Sequence, residues 1–346
     1  MAINWSYQMT LPCNNNIHPK VALIVPVYKV ENYLCECLDS ILAQTYQNIA
    51  VIAVNDGSPD NSLAILQKYA QSDPRVSVIN KPNGGLSSAR NAGLDAMPED
   101  VKYVAFIDSD DTISQRYVES FVCAMENENA DYGICSFASF DKNGIIEQNL
   151  EILPYSVMSQ DDIAAQYWSL TKTAATGAFM QTKMFKMEAI RDLRFNEKIK
   201  NSEDHEFMTR AILHLTTGVV VPEVNFFYRR RLSSISSSKN NHDWLIYQIY
   251  SALDLDLYTP TAQQNIIRIC DTNRLLALRY FFSHDEFSKD WITKYIKEQR
   301  KIPLRSKSLK NTIRHKMLFL GYWFNKIYYS LSSKNQKRKQ NPNFFP

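Results

Sequence analysis

The stretch YVAFIDSDD, residues 103–111, decides the fold. It opens with five apolar residues, which predict a strand that is buried on both faces. Three carboxylates, those of Asp108, Asp110 and Asp111, follow directly. Acids that crowd together repel one another, so at neutral pH they need a cation or must take up protons. The stretch therefore predicts a core strand that ends at a functional edge of a sheet.

Three further apolar runs precede this strand: VALIVPVY (21–28), AVIAVND (50–56) and VSVIN (76–80). Segments with helical spacing separate them, and one of these is expected to begin at Ser58 as its N-cap with Pro59 as the first helical residue. Alternation of strand and helix predicts an α/β fold with a mainly parallel sheet and right-handed crossovers. Ligands of such sheets bind beyond the carboxyl ends of the strands.

The second half of the chain gives a coarser pattern. Helices are expected near 114–128, 159–170, 183–193 and 203–214. Strands are expected at DYGICSFASF (131–140) and in the segment that ends FFYRRR (226–231), with a hairpin at DKNG (141–144). From residue 242 onward the pattern is helical.

Composition limits the class of protein. The chain has 346 residues, of which 45% are hydrophobic and 22% are charged, as in ordinary soluble globular proteins. Six scattered cysteines form no CxxC pair, which favours reduced thiols over a zinc site or a disulfide framework. The first residues lack a basic region followed by an apolar core, so no signal peptide is expected. Together these features indicate a cytoplasmic protein.

The acids after the strand at 103–108 allow two interpretations. Asp108 and Asp110, separated by the small Ser109, could present two carboxylates to one Mg²⁺ or Mn²⁺ ion, which favour oxygen ligands. Alternatively, the acids are solvated and merely cap the next helix. The motif alone leaves both open. Loop glycines after the second and third strands are equally consistent with simple turns and with close approach to a ligand.

An ordered set of motifs discriminates between these interpretations. PVYKVENYL (26–34), VNDGSPDNS (54–62), NKPNGGLSSARNAGL (80–94) and FIDSDD (106–111) each stand at a strand–helix junction. Together they closely resemble the inverting nucleotide-sugar glycosyltransferases of family 2, which have the A-type fold. The resemblance implies a catalytic domain over 21–236, with a donor part at 21–112 and an acceptor part at 113–236. An N-terminal extension (1–20) and a basic helical region (237–346) would flank it.

The resemblance also implies roles for individual residues. Three residues of the first motif would border the donor nucleoside: Pro26, Tyr28 and Glu31. Two residues of the third motif, Asn83 and Arg90, would line the nucleotide pocket. Asp56 matches the acid that contacts the base, commonly uracil. Asp108, Ser109 and Asp110 match the acid–x–acid motif that binds the nucleotide sugar, with both carboxylates available to Mn²⁺ or Mg²⁺. A structural ion pair is an equally fair interpretation of Arg90.

The sequence NSEDHEF (201–207) supplies a candidate for the base that the acceptor hydroxyl requires. By resemblance Asp204 is the general base and Glu203 orients the site, although two acids after Ser202 also make an ordinary helix start. Arg229 and Arg231 in YRRRLSSIS (228–236) match a family segment and would face the diphosphate or acceptor, or else form a solvated edge. TGAFMQTKMF (176–185) departs from the family pattern, so specificity does not carry over there.

The C-terminal region is strongly basic. Fifteen Lys and Arg residues and two acids lie between 289 and 346, and aromatic residues are interleaved with them. Its apolar runs are too short to span a bilayer, whereas a basic aromatic helix suits an anionic membrane surface. Packing on the catalytic domain is the alternative, and no nucleic-acid-binding fold is recognisable. This favours a peripheral enzyme on the inner face of the cytoplasmic membrane.

The resemblance implies a metal-dependent enzyme that transfers a hexose or N-acetylhexosamine from a UDP-sugar to a saccharide hydroxyl. The acceptor would be a saccharide or lipid-linked oligosaccharide in lipopolysaccharide, O-antigen, capsule or exopolysaccharide synthesis. A sugar nucleotidyltransferase would need a Gly-rich basic loop after the first strand, and a dinucleotide-dependent oxidoreductase would need GxGxxG there. That place holds PVYKVENYL. A non-catalytic nucleotide-sugar-binding or scaffold protein of the same fold is the remaining alternative.

Overall fold

The structure is a computed structural model that describes residues 18–141, 144–146, 152–167, 179–199, 202–230 and 255–257, with five positions between 260 and 267. Nearly all of them belong to one compact unit, Met1–Asn240 with Asp254–Asn265. Arg231, most of the predicted N-terminal extension and nearly all of the basic C-terminal region lie outside the described residues. The helical extension and the three domain boundaries therefore stay predictions.

The predicted donor part (21–112), called the donor half below, contains a parallel sheet, as the sequence predicts. Its strands run in the order β3-β2-β1-β4, and they are β1 (Lys20–Val27), β2 (Ile49–Asp56), β3 (Val76–Lys81) and β4 (Val101–Phe106). The crossover helices are α1 (Leu34–Leu42), α2 (Ser62–Ser72) and α3 (Leu86–Asp95). Seven of the eight residues of β1 are buried, because the sheet is covered on both faces.

Two of these helices show how the local sequence shapes the fold. α1 buries Leu34, Leu38 and Ile41, spaced by one helical turn, as its pattern predicts. The expected start of α2 is wrong: its N-cap is Asn61, three residues after Ser58. The Ser58 hydroxyl instead donates to the Asp60 carboxylate at 2.5 Å and accepts from the Lys29 amide at 2.8 Å. Ser58 therefore stabilises the loop after β2 and does not cap the helix.

The predicted acceptor part (113–236), called the acceptor half below, extends the same sheet with strands of both directions. From β4 the order continues β9-β6-β10-β5, and the sheet as a whole is mixed. The strands are β5 (Thr112–Ile113), β6 (Tyr132–Asp141), β7 (Gly144–Ile146), β8 (Ser156–Ser159), β9 (Lys183–Lys186) and β10 (Thr217–Arg229). The helices are α4 (Tyr117–Asn127), α5 (Gln160–Tyr167), α6 (Met187–Ile190) and α7 (Glu203–Ala211). The predicted hairpin is confirmed by the antiparallel pair Asp141↔Gly144.

The helix expected at 183–193 is largely wrong. Residues 183–186 form β9, which pairs antiparallel with β4 on one side and β6 on the other. Its central position explains the strand, since Lys183, Met184 and Phe185 are all fully buried. Only the short α6 follows it. β9 joins the parallel donor half to the acceptor half of one continuous sheet.

Cysteine chemistry and hydropathy complete the description. Cys37 and Cys135 are buried free thiols, as expected. Cys123 is disulfide-bonded, so the expectation of a reduced thiol is wrong for this residue. Among the described residues, no helix combines the length and the apolar character that crossing a bilayer requires.

Candidate active site

The predicted site residues gather at one edge of the sheet. Tyr28, Asp56 and Asp108 stand at or just after the carboxyl ends of β1, β2 and β4, which are adjacent parallel strands. Such an edge is where open α/β sheets bind ligands. Loops before α2 and α3 and the first turn of α7 complete the site, as the contacts below show.

Asp56 is a buried carboxylate held by three donors. Its Oδ1 accepts hydrogen bonds from the Lys81 ammonium at 2.6 Å and the Gly84 amide at 2.9 Å. Its Oδ2 accepts from the Gly85 amide at 2.8 Å. Among the described residues these three are its side-chain partners, and an ionised carboxylate has about four acceptor positions. One acceptor position on Oδ2 therefore has no partner among the described residues.

Asn83 and Glu31 form hydrogen bonds within the protein itself. The Asn83 amide donates to the Asp56 carbonyl at 2.9 Å. The Glu31 carboxylate accepts from the backbone and side-chain nitrogens of Asn61 at 2.9 and 2.8 Å. Gly57 has φ +65°, and a Cβ there would meet the Asn83 backbone nitrogen at 2.7 Å. In this structure both residues hold together the loops that follow β1, β2 and β3. A direct contact with the nucleoside stays a prediction.

Pro26 and Tyr28 end the first strand. Pro26 is buried in β1 and follows the last residue of β1 that pairs with β4. Its missing amide N–H therefore removes no hydrogen bond between β1 and β4. Tyr28 is 43% exposed, and the Lys29 ammonium lies 5.1 Å from its ring centroid. An exposed aromatic ring at this edge offers a stacking surface to a planar ligand.

The three acids after β4 have different surroundings. Asp111 is buried and turned inward, where its Oδ1 accepts from the Arg229 backbone amide at 2.7 Å. Ser109 is buried as well, so the small residue lets the turn pack against the sheet. Asp108 and Asp110 are only partly buried. The structure thus separates Asp111 from the Asp108–Asp110 pair.

Arg229 lies beside these acids, at the end of β10. Its Nε donates to the Asp110 carbonyl at 2.8 Å and its Nη2 to the Glu36 carboxylate at 2.6 Å. Its guanidinium also stacks on the Phe140 ring at 4.4 Å from the centroid. The predicted site includes Arg229, but here its side chain ties β10 to the acidic turn. Its predicted partner Arg231 falls outside the described residues.

Arg90 is the centre of the site. This α3 residue is 1% exposed and donates to three carboxylates. Nη1 contacts Glu203 at 3.1 Å and Asp204 at 2.5 Å, and Nη2 contacts Asp108 at 3.2 Å. Burial by itself lowers the pKa of Arg90, but these three acids outweigh it and raise the pKa. Both interpretations of Arg90 thus meet: it is an ion-pair partner, and its partners are the predicted site residues.

Two of these carboxylates have raised pKa values. Burial raises the pKa of Asp108 to about 6, with Asp110 and Asp204 adding to the effect and Arg90 opposing it. The Asp108 side chain is still 29% exposed. Burial, followed by the charge of Asp204, raises the pKa of Glu203 to about 8 against the effect of Arg90. Raised carboxylate pKa values in a cleft are typical of functional sites.

Glu203 and Asp204 begin α7, and the residue before them has unusual geometry. Ser202 adopts the left-handed conformation with φ 65°, which is uncommon for a residue other than glycine. It aims the first turn of α7 at Arg90. His205 points elsewhere: its Nδ1 shares a 2.9 Å hydrogen bond with the Tyr167 hydroxyl, consistent with a structural role.

The donor set at Asp108 and Asp110 fits a divalent cation that is completed by a substrate. Both residues offer carboxylate oxygens, which Mg²⁺ and Mn²⁺ prefer. Asp110 raises the pKa of Asp108, so the two carboxylates repel one another, and a cation between them would relieve this repulsion. Within the described residues no group of three acids, histidines or cysteines could hold a metal by itself. Water and phosphate oxygens would have to supply the other ligands.

Gln181 and Lys183 were missed by the sequence reasoning. Gln181 lies in a 3₁₀ turn, Met180–Thr182, and its side-chain amide donates to the Asp108 Oδ2. Lys183 is fully buried at the start of β9, and burial lowers its pKa to about 7. A helix was expected at 183–193, and the preceding turn carries no motif. The only sequence signal was the departure from the family pattern at 176–185.

A family profile and curated relatives match the sequence of this chain. The profile described as glycosyl transferase family 2 matches residues 22–192. The glycosyltransferase GlyA of Streptococcus pneumoniae serotype 4 is 34% identical over 226 residues, which are 64% of this chain and 32% of GlyA. The minor teichoic acid biosynthesis protein GgaB of Bacillus subtilis is 30% identical over 274 residues, 76% of this chain and 28% of GgaB. The chain thus spans about a third of the length of these relatives.

A solved structure shares the fold. The crystal structure of Staphylococcus aureus TarS 1–349 in complex with UDP-GlcNAc matches with a TM-score of 0.56 and 19% identity. The match covers 75% of this chain and 82% of that one. The mixed α/β sheet with flanking helices is therefore the A-type glycosyltransferase fold, as predicted.

Proposed function

The chain belongs to glycosyltransferase family 2 through residues 22–192, and from this membership we propose that it transfers a sugar with inversion from a UDP-sugar to a saccharide hydroxyl. The observation that carries the proposal is the set of ion pairs around Arg90. One guanidinium joins Asp108, from the acid–x–acid motif of the donor half, to Glu203 and Asp204 of the acceptor half. Donor and acceptor chemistry thus meet at one point.

Asp56 supports uridine as the nucleoside. Its carboxylate has one acceptor position left on Oδ2, and the imide N–H of uracil is a single donor. Guanine presents two adjacent donors and would need two free positions. UDP-GlcNAc is bound by TarS, which has the same fold, and this supports the same nucleotide here.

A divalent cation, Mn²⁺ or Mg²⁺, is proposed at Asp108 and Asp110. When bound, it would neutralise charge on the departing diphosphate. Asp108 must be ionised to bind a cation, and its pKa of about 6 makes metal binding weaker below that pH. Arg90 keeps a positive charge next to Asp108 and so favours its ionised form.

Asp204 is the proposed general base. As the acceptor hydroxyl attacks the anomeric carbon, a new carbon–oxygen bond forms, the bond to the UDP oxygen breaks, and the hydroxyl proton passes to Asp204. Its Oδ1 is fixed by Arg90 at 2.5 Å, while the side chain remains 18% exposed. Arg90 thereby sets the orientation of the carboxylate. Burial raises the pKa of Glu203 to about 8, which favours its protonated form and so reduces the negative charge around Asp204.

The acceptor is proposed to be a saccharide or lipid-linked oligosaccharide in the synthesis of a bacterial surface polysaccharide. The name of GgaB, a minor teichoic acid biosynthesis protein, supports this class. The basic aromatic C-terminal region, which the structure does not describe, would bind an anionic membrane that carries such an acceptor. Sedimentation of the full chain with anionic but not neutral vesicles, reversed by salt, is the expected result; equal binding to both would contradict it.

A donor screen tests the function. UDP-sugars are incubated with candidate lipid-linked acceptors, and UDP release is measured with and without EDTA. Asp204→Asn should lower kcat by about 100-fold or more while UDP affinity changes little, because the base acts only in the transition state. Asp192→Asn, an exposed position, is the matched control. Equal losses of transfer and UDP affinity in Asp204→Asn would refute the assignment of the base, and UDP binding without any turnover would indicate a non-catalytic protein.

A further inference from the structure

Gln181 lies where the donor would bind, although no family motif marks it. β9 runs antiparallel to β4 with Ala105 opposite Met184, so the turn before β9 lies beyond the carboxyl end of β4. Asp108 follows that same end of β4. The fold therefore brings Gln181, three residues before Met184, to the acidic edge of the sheet.

The Gln181 side chain is 3% exposed and only half satisfied. Its Nε2 donates to the Asp108 Oδ2. Because a carboxylate accepts, the amide nitrogen must face Asp108 and the Oε1 must face away from it. This Oε1 is buried and finds no hydrogen-bond partner among the described residues. Two of the five such atoms, Gln181 Oε1 and Arg90 Nε, belong to residues that bond Asp108.

Two buried side chains hold the turn that carries Gln181. The hydroxyl of Tyr117, a fully buried residue, donates to the Gln181 carbonyl at 2.9 Å. The buried Lys183 ammonium donates to the Phe179 carbonyl at 2.5 Å. The backbone of the turn and Nε2 are thus both held, and Oε1 is left as an acceptor without a donor next to Asp108.

We propose that Gln181 Oε1 accepts a hydrogen bond from a hydroxyl of the UDP-sugar and so determines which donors bind. A buried carbonyl oxygen without a donor is unfavourable, and natural proteins keep such atoms mostly where function uses them. Sugar hydroxyls donate, and a site built to bond a hydroxyl discriminates against the analogue that lacks it. The inference rests on the proposed function and adds a specificity residue to it.

The hydroxyl belongs to the ribose or to the transferred sugar, and deoxy analogues distinguish the two. Calorimetry measures binding to the full-length wild type and to Gln181→Met. This substitution keeps the side-chain volume but removes the amide oxygen and the amide nitrogen. The ligands are UDP, its 2′- and 3′-deoxy forms, the UDP-hexose that the wild type binds best, and its monodeoxy analogues. We expect one deoxy analogue to bind the wild type roughly tenfold more weakly than its parent and to bind Gln181→Met about as well as its parent.

Two further variants and two contrary outcomes complete the test. Gln181→Asn, which withdraws the amide by one methylene, should lose the same discrimination and serves if Gln181→Met is unstable. Gln44→Met, at an equally buried glutamine whose amide bonds Ser40 and Ser114, should discriminate like the wild type. If every analogue loses the same factor in wild type and both Gln181 variants, the inference is wrong while the proposed function stands. If the wild type binds no uridine nucleotide, the proposed function itself fails.

Discussion

Replacing Arg90 by methionine should make the stability of the protein strongly dependent on pH. Arg90 is 1% exposed and compensates three carboxylates. Removing one partner of a buried ionic network costs about 3–5 kcal/mol, because the remaining charges stay buried without compensation. For a domain of this size, about 3 °C is lost per kcal/mol, so at pH 8 the melting temperature should fall by about 10 °C or more.

At pH 5 the loss should be smaller. Asp108 and Glu203 have pKa values of about 6 and about 8, so both are protonated at pH 5. Arg90 opposes these upward shifts, and its removal would raise the two pKa values further. Two of the three partners then need no counter-charge, while Asp204 still loses its 2.5 Å contact with Arg90. The loss should therefore shrink to about 1.5–3 kcal/mol, the scale of a hydrogen bond to a charged group.

Urea unfolding of wild type and Arg90→Met at pH 5 and pH 8 measures the difference directly. Arg194→Met, which breaks the more exposed pair with Asp95, is the control and should cost less than about 1 kcal/mol at both pH values. A loss in Arg90→Met that is equally large at pH 5 and pH 8 would refute the reasoning. It would show that Arg90 stabilises the fold through packing, for instance on the Phe195 ring 5.1 Å away, and not through charge.

Three further predictions concern metal and protons. In the ligand-free wild type, the raised pKa values of Asp108 and Glu203 mean that the folded state binds more protons than the unfolded state. Their contribution to stability should be complete below about pH 4 and should be lost as the pH rises to 8. Urea unfolding midpoints measured across this range test the prediction. Asp110→Asn should abolish the extra thermal stabilisation that Mn²⁺ gives in the presence of UDP, a gain that in the wild type should be larger at pH 8 than at pH 5; an unchanged gain would place the metal elsewhere. Burial lowers the pKa of Lys183 to about 7, so the folded protein binds fewer protons than the unfolded chain and gains stability as the pH rises above 7. The stability of Lys183→Met relative to wild type should therefore be highest at pH 6 and lower at pH 9. A constant difference in unfolding free energy would argue against a buried titrating lysine.

Local pattern was sufficient for the donor half of the fold. Buried runs, helical spacing and their alternation predict four parallel strands, and the motifs at the strand ends predict which side chains meet. Asp56 and Asp108 indeed stand at or just after the carboxyl ends of β2 and β4, the two strands that flank β1. These predictions succeed because each depends on a period of a few residues or on a known topology rule.

Long-range contacts were the part that sequence could not supply. β9 contains Lys183 and Lys186 within four residues, so nothing in its pattern indicates a central strand. The Arg90 contacts with Glu203 and Asp204 span more than a hundred residues. The Glu31 contact with Asn61 links the loops after β1 and β2, and no motif predicts it. In each case tertiary contacts determine the outcome and leave no local trace.

Arg90 has a consequence for protein engineering. Arg90 precedes residue 113, yet it contacts Glu203 and the proposed base Asp204, which both follow that residue. In a chimeric enzyme with its first 112 residues from one relative and the remainder from another, Arg90 would come from one parent. Its partners Glu203 and Asp204 would come from the other parent. Recombination of donor and acceptor specificities should therefore succeed only between parents in which the arginine and both acids align.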